Sequence, residues 1–163
     1  ELVQVAGEGF GPGGHPTTGL CLEMLELMPS GPAIDAGCGS GLLTQAWLHL
    51  GRGPVVGVDL DARALDQAAR SLTAAGVTAP LRRAPIAGLD PGELAGRVIL
   101  ANIPVGAHME LLERLPGCPP GAVLSGLRPA QIEPVVSAYR ARGMRLLRTE
   151  RAGGFCAAAL VWT

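Results

Sequence analysis

A run of alternating glycines is the segment of this chain best suited to bind a nucleotide-like ligand. Asp35 ends a short apolar run and is followed by Gly37, Gly39 and Gly41. Glycine lacks a Cβ, so a loop built from it turns tightly and lets a ligand approach the bare backbone. Dinucleotide-binding loops place two residues between their second and third glycines, whereas one residue separates each pair here. This spacing disfavours a pyrophosphate ligand and favours S-adenosylmethionine, which has no phosphate.

Three polar side chains follow predicted strands, where such a ligand needs partners. Asp59 lies about 20 residues beyond the loop, where an acid can accept both ribose hydroxyls. Asp35 could bind the amino group of the cofactor or brace the loop, and the sequence leaves both roles open. Asn102 could orient an acceptor amine through its side-chain oxygen, or only hold the cofactor. No acid follows the third strand in Arg82–Ala84, so the sequence does not indicate how adenine is recognised.

His15 is the candidate general base, because histidine exchanges a proton readily near neutral pH. It lies in the Gly/Pro-rich segment that ends at Pro16, and it could equally brace that loop. Cys38, within the glycine loop, could be a reactive thiol, but we interpret it as a small structural residue. Trp47 and Trp162 are expected to lie in the core.

Strands and helices alternate along the chain, which predicts an α/β fold with a mostly parallel, doubly covered sheet. Strands are expected at 33–35, 55–59, near 81, and at 98–102, 122–124, 145–148 and 156–162. Helices are expected at 16–29, 42–50, 61–76, 109–115 and 131–142. Thr17 or Thr18 is expected near the N-terminal cap of the first helix. The last two strands are close enough in sequence to form an antiparallel hairpin.

Composition and charge limit the partners of the chain. Its 163 residues are 48% hydrophobic, which suits one domain with a sizeable core. A net charge of -1 and 3% aromatic residues make nucleic acid an unlikely partner. The four cysteines are scattered and no apolar run is long enough to cross a bilayer, so we expect no metal site, no membrane association and a cytoplasmic location.

The segment Phe10–Thr18, which reads FGPGGHPTT, resembles the signature of the methyltransferase family that modifies large-subunit ribosomal protein L11. The resemblance continues through 20–23, 35–42, 57–61, 101–103 and 125–131, so it covers nearly the whole chain in order. It implies a Rossmann-like class I methyltransferase fold with a seven-stranded sheet. It also implies S-adenosylmethionine as cofactor, and a protein substrate, possibly ribosomal, that is methylated on an amino nitrogen.

The resemblance also implies which residues form the site. Thr18, Gly37, Asp59 and Asn102 would contact the cofactor, and the Phe10–Thr18 loop would fold over its methionine end. The expected cofactor-binding residues are Phe10, Gly11, Thr18, Asp35, Gly37, Gly39, Gly41, Asp59, Leu60 and Asn102. The candidate catalytic residues are Asn102 and His15.

The chain departs from the family pattern in three respects. Pro12 replaces the usual threonine, and Pro104 and Val105 replace the usual Leu-Ala. Family members also carry an N-terminal substrate-recruiting domain, for which the chain has no counterpart before Phe10. We therefore expect one methyltransferase domain over 1–163, with an N-terminal strand and active-site loop at 1–16.

Other functions remain open at this stage. The segment Asn102–Pro104 could be half of the Asn-Pro-Pro-aromatic motif of nucleobase or glutamine methyltransferases, but Val105 lacks the aromatic face that a flipped base needs. A small amine is an alternative acceptor. The domain could also bind S-adenosylmethionine without catalysis. A nicotinamide-dependent oxidoreductase is disfavoured, because Leu42 stands where its third glycine would be.

Overall fold

The computed structural model describes residues 15–163 of the chain. Within them the helices are α1 Pro16–Leu25, α2 Leu42–His49, α3 Ala62–Ala74, α4 Pro91–Leu94, α5 Val105–Arg114 and α6 Pro129–Arg140, with a 3₁₀ turn at Ile86–Gly88. The strands are β1 Ala33–Ala36, β2 Val55–Asp59, β3 Leu81–Arg83, β4 Val98–Asn102, β5 Gly121–Leu127, β6 Met144–Ala152 and β7 Phe155–Trp162.

These strands form one seven-stranded sheet in the order β3-β2-β1-β4-β5-β7-β6. The first five strands in that order pair in parallel, and β7 pairs antiparallel with both β5 and β6. The predicted class I methyltransferase fold, with its antiparallel C-terminal hairpin, is therefore confirmed. The chain leaves β1 toward β2 and β3 on one side and later returns to β4 and β5 on the other. Ligands bind at such a switch point, outside the carboxyl ends of the strands.

Helices cover both faces of the sheet and create two apolar clusters. On one face α1 and α2 pack Met24, Leu25 and Trp47 against β4, β5 and β7. On the other face α5 and α6 pack Leu111 and Tyr139 against the opposite sides of the same strands. Because successive strand residues point to opposite faces, strands buried on both sides read as continuous apolar runs. This explains why β1, β4 and β5 contain so few polar residues.

Several elements are longer than their sequence pattern predicted. Helix α5 begins at Val105 rather than 109, with extended Pro104 as its N-cap. Its first turn was missed because Val105 and Gly106 have low helix propensity. Strand β5 runs to Leu127 rather than 124, past a register shift that Gly126 accommodates at φ +81°. Strand β6 spans Met144–Ala152 rather than 145–148. The rest of the predicted order is observed.

Of two predictions about single residues, one was confirmed and one was wrong. The N-cap of α1 is His15, whose ring nitrogen accepts the N–H of Thr17, so Thr17 and Thr18 lie near the cap as predicted. Trp47 is fully buried, as expected, but Trp162 is 62% exposed. Trp162 pairs with Met144 at the end of the β6–β7 ladder, one residue beyond the last pair between β5 and β7. No helix in residues 15–163 is long and apolar enough to cross a membrane.

Candidate active site

A cavity of about 560 Å³ opens at the carboxyl ends of β1, β2 and β4. It collects most of the site residues that the sequence predicted, although they come from segments far apart in the chain. Its described lining comprises His15, Thr17, Thr18, Asp35, Gly37, Cys38, Gly39, Ser40, Leu42, Leu43, Val58, Asp59, Leu60, Ala84, Pro85, Ile86, Asn102, Ile103, Pro104, Ala107, Glu110, Gly126 and Phe155. Phe10 and Gly11, which were also predicted to contact the cofactor, lie outside the described residues.

All three alternating glycines have a left-handed backbone conformation, which residues with a Cβ rarely adopt. Gly37, Gly39 and Gly41 have φ values of +74°, +53° and +80°, in the left-handed region. The loop is held against β2, because the N–H groups of Gly37 and Cys38 both donate to the carbonyl of Val58, at 2.7 and 2.9 Å. A Cβ on Gly37 would lie 2.4 Å from Cγ2 of Ile103. Both the dihedral angle and the available space therefore require glycine at position 37.

Gly41 differs from Gly37 and Gly39 because it faces helix α3 rather than the cavity. It does not line the cavity, and a Cβ at this position would lie 3.0 Å from the Cβ of Ala68 in α3. It is also the N-cap of α2. Its absence of a side chain allows α2 and α3 to pack closely. Contact between Gly41 and the cofactor stays a prediction.

Asp59 connects the end of β2 to the glycine loop. Its Oδ2 accepts the N–H of Gly39 at 2.8 Å, and its Oδ1 accepts the N–H of Asp61 at 2.9 Å. Each carboxylate oxygen can accept more than one hydrogen bond, so both retain capacity toward the cavity. The two backbone bonds orient the carboxylate, which remains half-buried in the lining.

Asp35 is a buried carboxyl that has partners on one oxygen only. Its Oδ2 accepts the backbone N–H of Thr44 at 3.0 Å and the Thr44 hydroxyl at 2.7 Å. Its Oδ1 is buried and has no hydrogen-bond partner among the described residues. Burial raises the pKa of this carboxyl to about 6, and nearby Asp59 contributes in the same direction. The residue braces α2 and also presents an unsatisfied acceptor in the cavity lining.

Asn102, Thr17 and His15 form a short chain of hydrogen bonds at another part of the cavity. Asn102 Nδ2 donates to Thr17 Oγ1 at 3.1 Å, and Thr17 Oγ1 lies 2.7 Å from His15 Nδ1. The His15 ring also meets the Phe155 ring edge to face, with centroids 5.1 Å apart. His15 is engaged by the first turn of α1 and by Phe155, which supports the brace interpretation over the general base.

The region beside β3 is apolar. Leu60, which follows Asp59, is 62% exposed, and Ala84, Pro85 and Ile86 line the cavity on the same strand edge. Large exposed apolar side chains at a cavity rim are suited to contact a flat ring. The cavity therefore has an apolar rim beside β3, where the sequence showed no acid.

Sequence reasoning missed two residues that line the cavity, Phe155 and Glu110. Phe155 lines the cavity from the start of β7, and the guanidinium of Arg128 lies 4.2 Å from the centroid of its ring. Glu110 lines the cavity from α5, one helical turn after Ala107. Phe155 is one of two phenylalanines in the chain and follows the turn Gly153–Gly154, so its rarity was an available signal.

The charges along the cavity are of one sign. Asp35, Asp59 and Glu110 contribute carboxyl groups, and neither lysine nor arginine is found among the described lining residues. A cationic ligand is favoured by such a lining, and a pyrophosphate is not. No group of three or more metal-binding side chains is found in residues 15–163. Burial raises the pKa of the Cys38 thiol, which keeps it protonated and supports its structural role.

Comparison with known proteins gives a consistent match along the chain. The family model described as ribosomal protein L11 methyltransferase (PrmA) matches residues 4–161. A ribosomal protein L11 methyltransferase of Geobacter metallireducens is 38% identical over 151 residues, which cover 90% of this chain and 50% of that protein.

Solved structures show the same fold at lower sequence identity. The ribosomal protein L11 methylase of Lactobacillus delbrueckii subsp. bulgaricus aligns with a TM-score of 0.77 at 22% identity, over 92% of this chain and 80% of its own. The tRNA (uracil-54, C5)-methyltransferase of Pyrococcus abyssi, in complex with S-adenosyl-L-homocysteine, aligns with a TM-score of 0.73 at 19% identity, over 89% of this chain and 37% of its own.

Proposed function

The chain belongs to the ribosomal protein L11 methyltransferase family, and from that premise we propose that it binds S-adenosylmethionine and transfers the methyl group to an amino nitrogen of a protein. The chain spans about half the length of the curated relatives it matches. The proposal therefore concerns only the part of those proteins that this chain matches. The observation that carries it is the single cavity in which the glycine loop, Asp59 and Asn102 come together.

The described residues fit this cofactor. Asp35 Oδ1 is a buried acceptor without a partner among them, and the ammonium group of the methionine moiety would satisfy it. Gly37 and Gly39 line the cavity without side chains, so a ligand can approach their bare backbone. The lining carries carboxyl groups, and its described residues include neither lysine nor arginine, which suits a sulfonium cation. The related Pyrococcus abyssi fold was solved with the demethylated form of this cofactor.

We assign the remaining groups of the cofactor to the two adjoining regions of the cavity. Asp59 would accept the ribose hydroxyls, since its two backbone bonds orient both oxygens at the end of β2. Leu60 and Ile86 would contact the adenine ring through their apolar side chains. Thr18, which is buried and lines the cavity, would contact the methionine portion.

When bound, S-adenosylmethionine supplies an electrophilic methyl group, and the contribution of the protein is to align the acceptor with it. The acceptor amine must be neutral to react. A lysine with a pKa of about 10.4 is neutral only about one time in 10³ at pH 7, whereas an α-amino group with a pKa near 8 is neutral about one time in ten. Asn102 Oδ1 can accept an N–H of the neutral amine and orient its lone pair.

The protein substrate is proposed from the relatives, which are named for methylating ribosomal protein L11. A nucleobase acceptor is less consistent with the site, because Val105 follows Pro104 where a flipped base would need an aromatic face. A ribosomal substrate also accords with the expected cytoplasmic location, which stays a prediction.

Transfer of radiolabelled methyl from S-adenosylmethionine to purified ribosomal protein L11 tests the proposal directly. We expect label in the protein acceptor with this chain and a loss of at least tenfold with Asn102→Ala. Calorimetric titration with S-adenosylmethionine and with a nicotinamide dinucleotide provides the control for the ligand. Cofactor binding without transfer to L11 or to small amines would instead indicate a non-catalytic binding module.

A further inference from the structure

The hydrogen bonds among Asn102, Thr17 and His15 have a direction that can be deduced from one backbone group. The N–H of Thr17 can only donate, and it points at His15 Nδ1 over 3.3 Å. His15 Nδ1 must therefore accept, which places the hydrogen of the neutral ring on Nε2. The Thr17 hydroxyl, 2.7 Å from the same nitrogen, must then donate to it as well.

The remaining bond in the chain follows from this. Because the Thr17 hydroxyl hydrogen points at His15, its oxygen presents lone pairs to Asn102, and the Asn102 group that faces it must be the NH₂. The carboxamide oxygen, Oδ1, is thereby directed away from Thr17. Asparagine oxygen and nitrogen are nearly isosteric, so without such a chain the group could rotate by half a turn.

We infer that Thr17 is a positioning residue, which acts through Asn102 by keeping the carboxamide oxygen toward the acceptor amine. The inference rests on the proposed methyl transfer to an amino nitrogen. A rotated Asn102 would present NH₂ to the amine, and two donors would then face each other. His15 contributes at the other end of this series of hydrogen bonds, because its Nδ1 fixes the direction of the Thr17 hydroxyl.

The surroundings of Thr17 make this arrangement stable. Thr17 is 3% exposed, so water has little access to compete for its hydroxyl. It lies in the first turn of α1, whereas Asn102 ends β4, and the bond between them spans 85 positions of sequence. The start of α1 therefore sets the orientation of a side chain on a distant strand.

Kinetics test the role through variants that keep the shape of the side chain. We expect Thr17→Val to lower kcat roughly tenfold, with the cofactor Kd and acceptor KM changed less than about threefold. Thr17→Ser restores the hydroxyl and should return kcat to within about twofold of the parent. The matched control Thr149→Val, on exposed β6, should leave kcat unchanged. Failure of serine to rescue activity would overturn the inference.

A double-mutant cycle separates action through Asn102 from an independent role. In an Asn102→Ala background, Thr17→Val should cause no further loss of kcat, because the oxygen that it orients is gone. If the kcat of the double variant falls by the product of the two single losses, Thr17 acts independently of Asn102, which would contradict the inference. Radiolabel counting is sensitive enough to measure the residual rates.

An NMR measurement tests the orientation of the Asn102 carboxamide even if the protein methylates no amine. The side-chain amide signals of Asn102 in a ¹⁵N–¹H spectrum, recorded with S-adenosylhomocysteine bound, should shift in Thr17→Val and recover in Thr17→Ser. Unchanged signals in Thr17→Val would refute the positioning role. A shifted signal in a protein that labels neither L11 nor any amine would instead reject the proposed function and leave the orientation established.

Discussion

Asp59 accepts a hydrogen bond from the backbone N–H of Gly39 through Oδ2, over 2.8 Å, so the acid at the end of β2 and the middle of the glycine loop are held as one unit. Its other oxygen, Oδ1, accepts the N–H of Asp61. The carboxylate is therefore oriented before any ligand arrives. A preoriented charged acceptor loses little conformational freedom on binding.

Replacement of this acid should reduce cofactor binding. Asp59→Ala removes the acceptor proposed for the ribose hydroxyls, and a hydrogen bond to a charged group contributes about 1.5–3 kcal/mol. We expect the Kd for S-adenosylmethionine to rise roughly ten- to a hundredfold by calorimetry. Asp61→Ala is the matched control, since it removes the N-cap of α3 and should lower stability by about 1 kcal/mol without changing Kd. An unchanged Kd in Asp59→Ala would exclude the ribose role.

The buried Asp35 carboxyl should make stability fall as pH rises. Burial raises its pKa from 3.8 to about 6, so between these values the folded protein holds a proton that the unfolded chain has released. The group therefore imposes no penalty below about pH 4, and above pH 6 it costs about 3 kcal/mol. Asp35→Asn removes this cost, so its Tm at pH 7.5 without cofactor should exceed that of the parent. An equal or lower Tm would contradict the argument.

Cofactor binding should depend on pH through the same carboxyl. The ammonium group of the cofactor favours the ionised form of Asp35, so the parent should bind more weakly at pH 5 than at pH 7.5. Asp35→Asn should bind at least tenfold more weakly at pH 7.5 and should show little change between the two pH values. Titration calorimetry at pH 5, 6 and 7.5 measures both. A pH-independent Kd in the parent would argue against contact between Asp35 and the ammonium group.

A single methyl group at position 37 should disrupt the site. Gly37→Ala places a Cβ 2.4 Å from Ile103 Cγ2 and forces alanine into φ +74°. We expect a loss of at least 1–3 kcal/mol in stability and no measurable cofactor binding. Gly106→Ala is the control, because Gly106 lies in α5 with open space around it and should tolerate or gain stability from alanine. Equal behaviour of the two variants would show that the loop adapts freely.

The aromatic wall at Phe155 should affect the acceptor rather than the cofactor. Phe155→Leu keeps an apolar side chain but removes the ring that contacts His15 and Arg128, at a cost of about 0.5–1.5 kcal/mol. We expect the KM for the protein acceptor to rise about two- to tenfold with an unchanged cofactor Kd. Trp162→Leu, at the exposed end of the same strand, should change neither. A raised Kd in Phe155→Leu would place the ring against the cofactor instead.

The part of the cavity at the ends of β1, β2 and β4 was predictable from sequence because its residues are local. Asp35, Asp59 and Asn102 each end an apolar run, and parallel strands bring their carboxyl ends to one edge. The glycine spacing likewise reports a local backbone requirement, which the φ values confirm at all three positions.

The part of the cavity formed by Phe155 and Glu110 was less predictable because it depends on distant pairing. Phe155 enters the cavity only because β7 inserts between β5 and β6, and no local pattern indicates that neighbour. Glu110 was missed because the helix was predicted to begin at 109. With α5 starting at Val105, Ala107 and Glu110 are three residues apart on one face. Histidine is not a preferred N-cap type, so propensity indicated a threonine near the cap of α1 but did not identify His15 as the cap residue.

The position of β7 between β5 and β6 has a consequence for how the protein is made. During synthesis, β5 and β6 emerge before β7, the strand that lies between them. β6 therefore cannot join the sheet until residues 155–162 have emerged and paired with β5. Phe155 belongs to that late strand, and so the wall of the cavity closes in the same step. A nascent chain should therefore form the part of the cavity at the ends of β1, β2 and β4 before it forms the wall at Phe155.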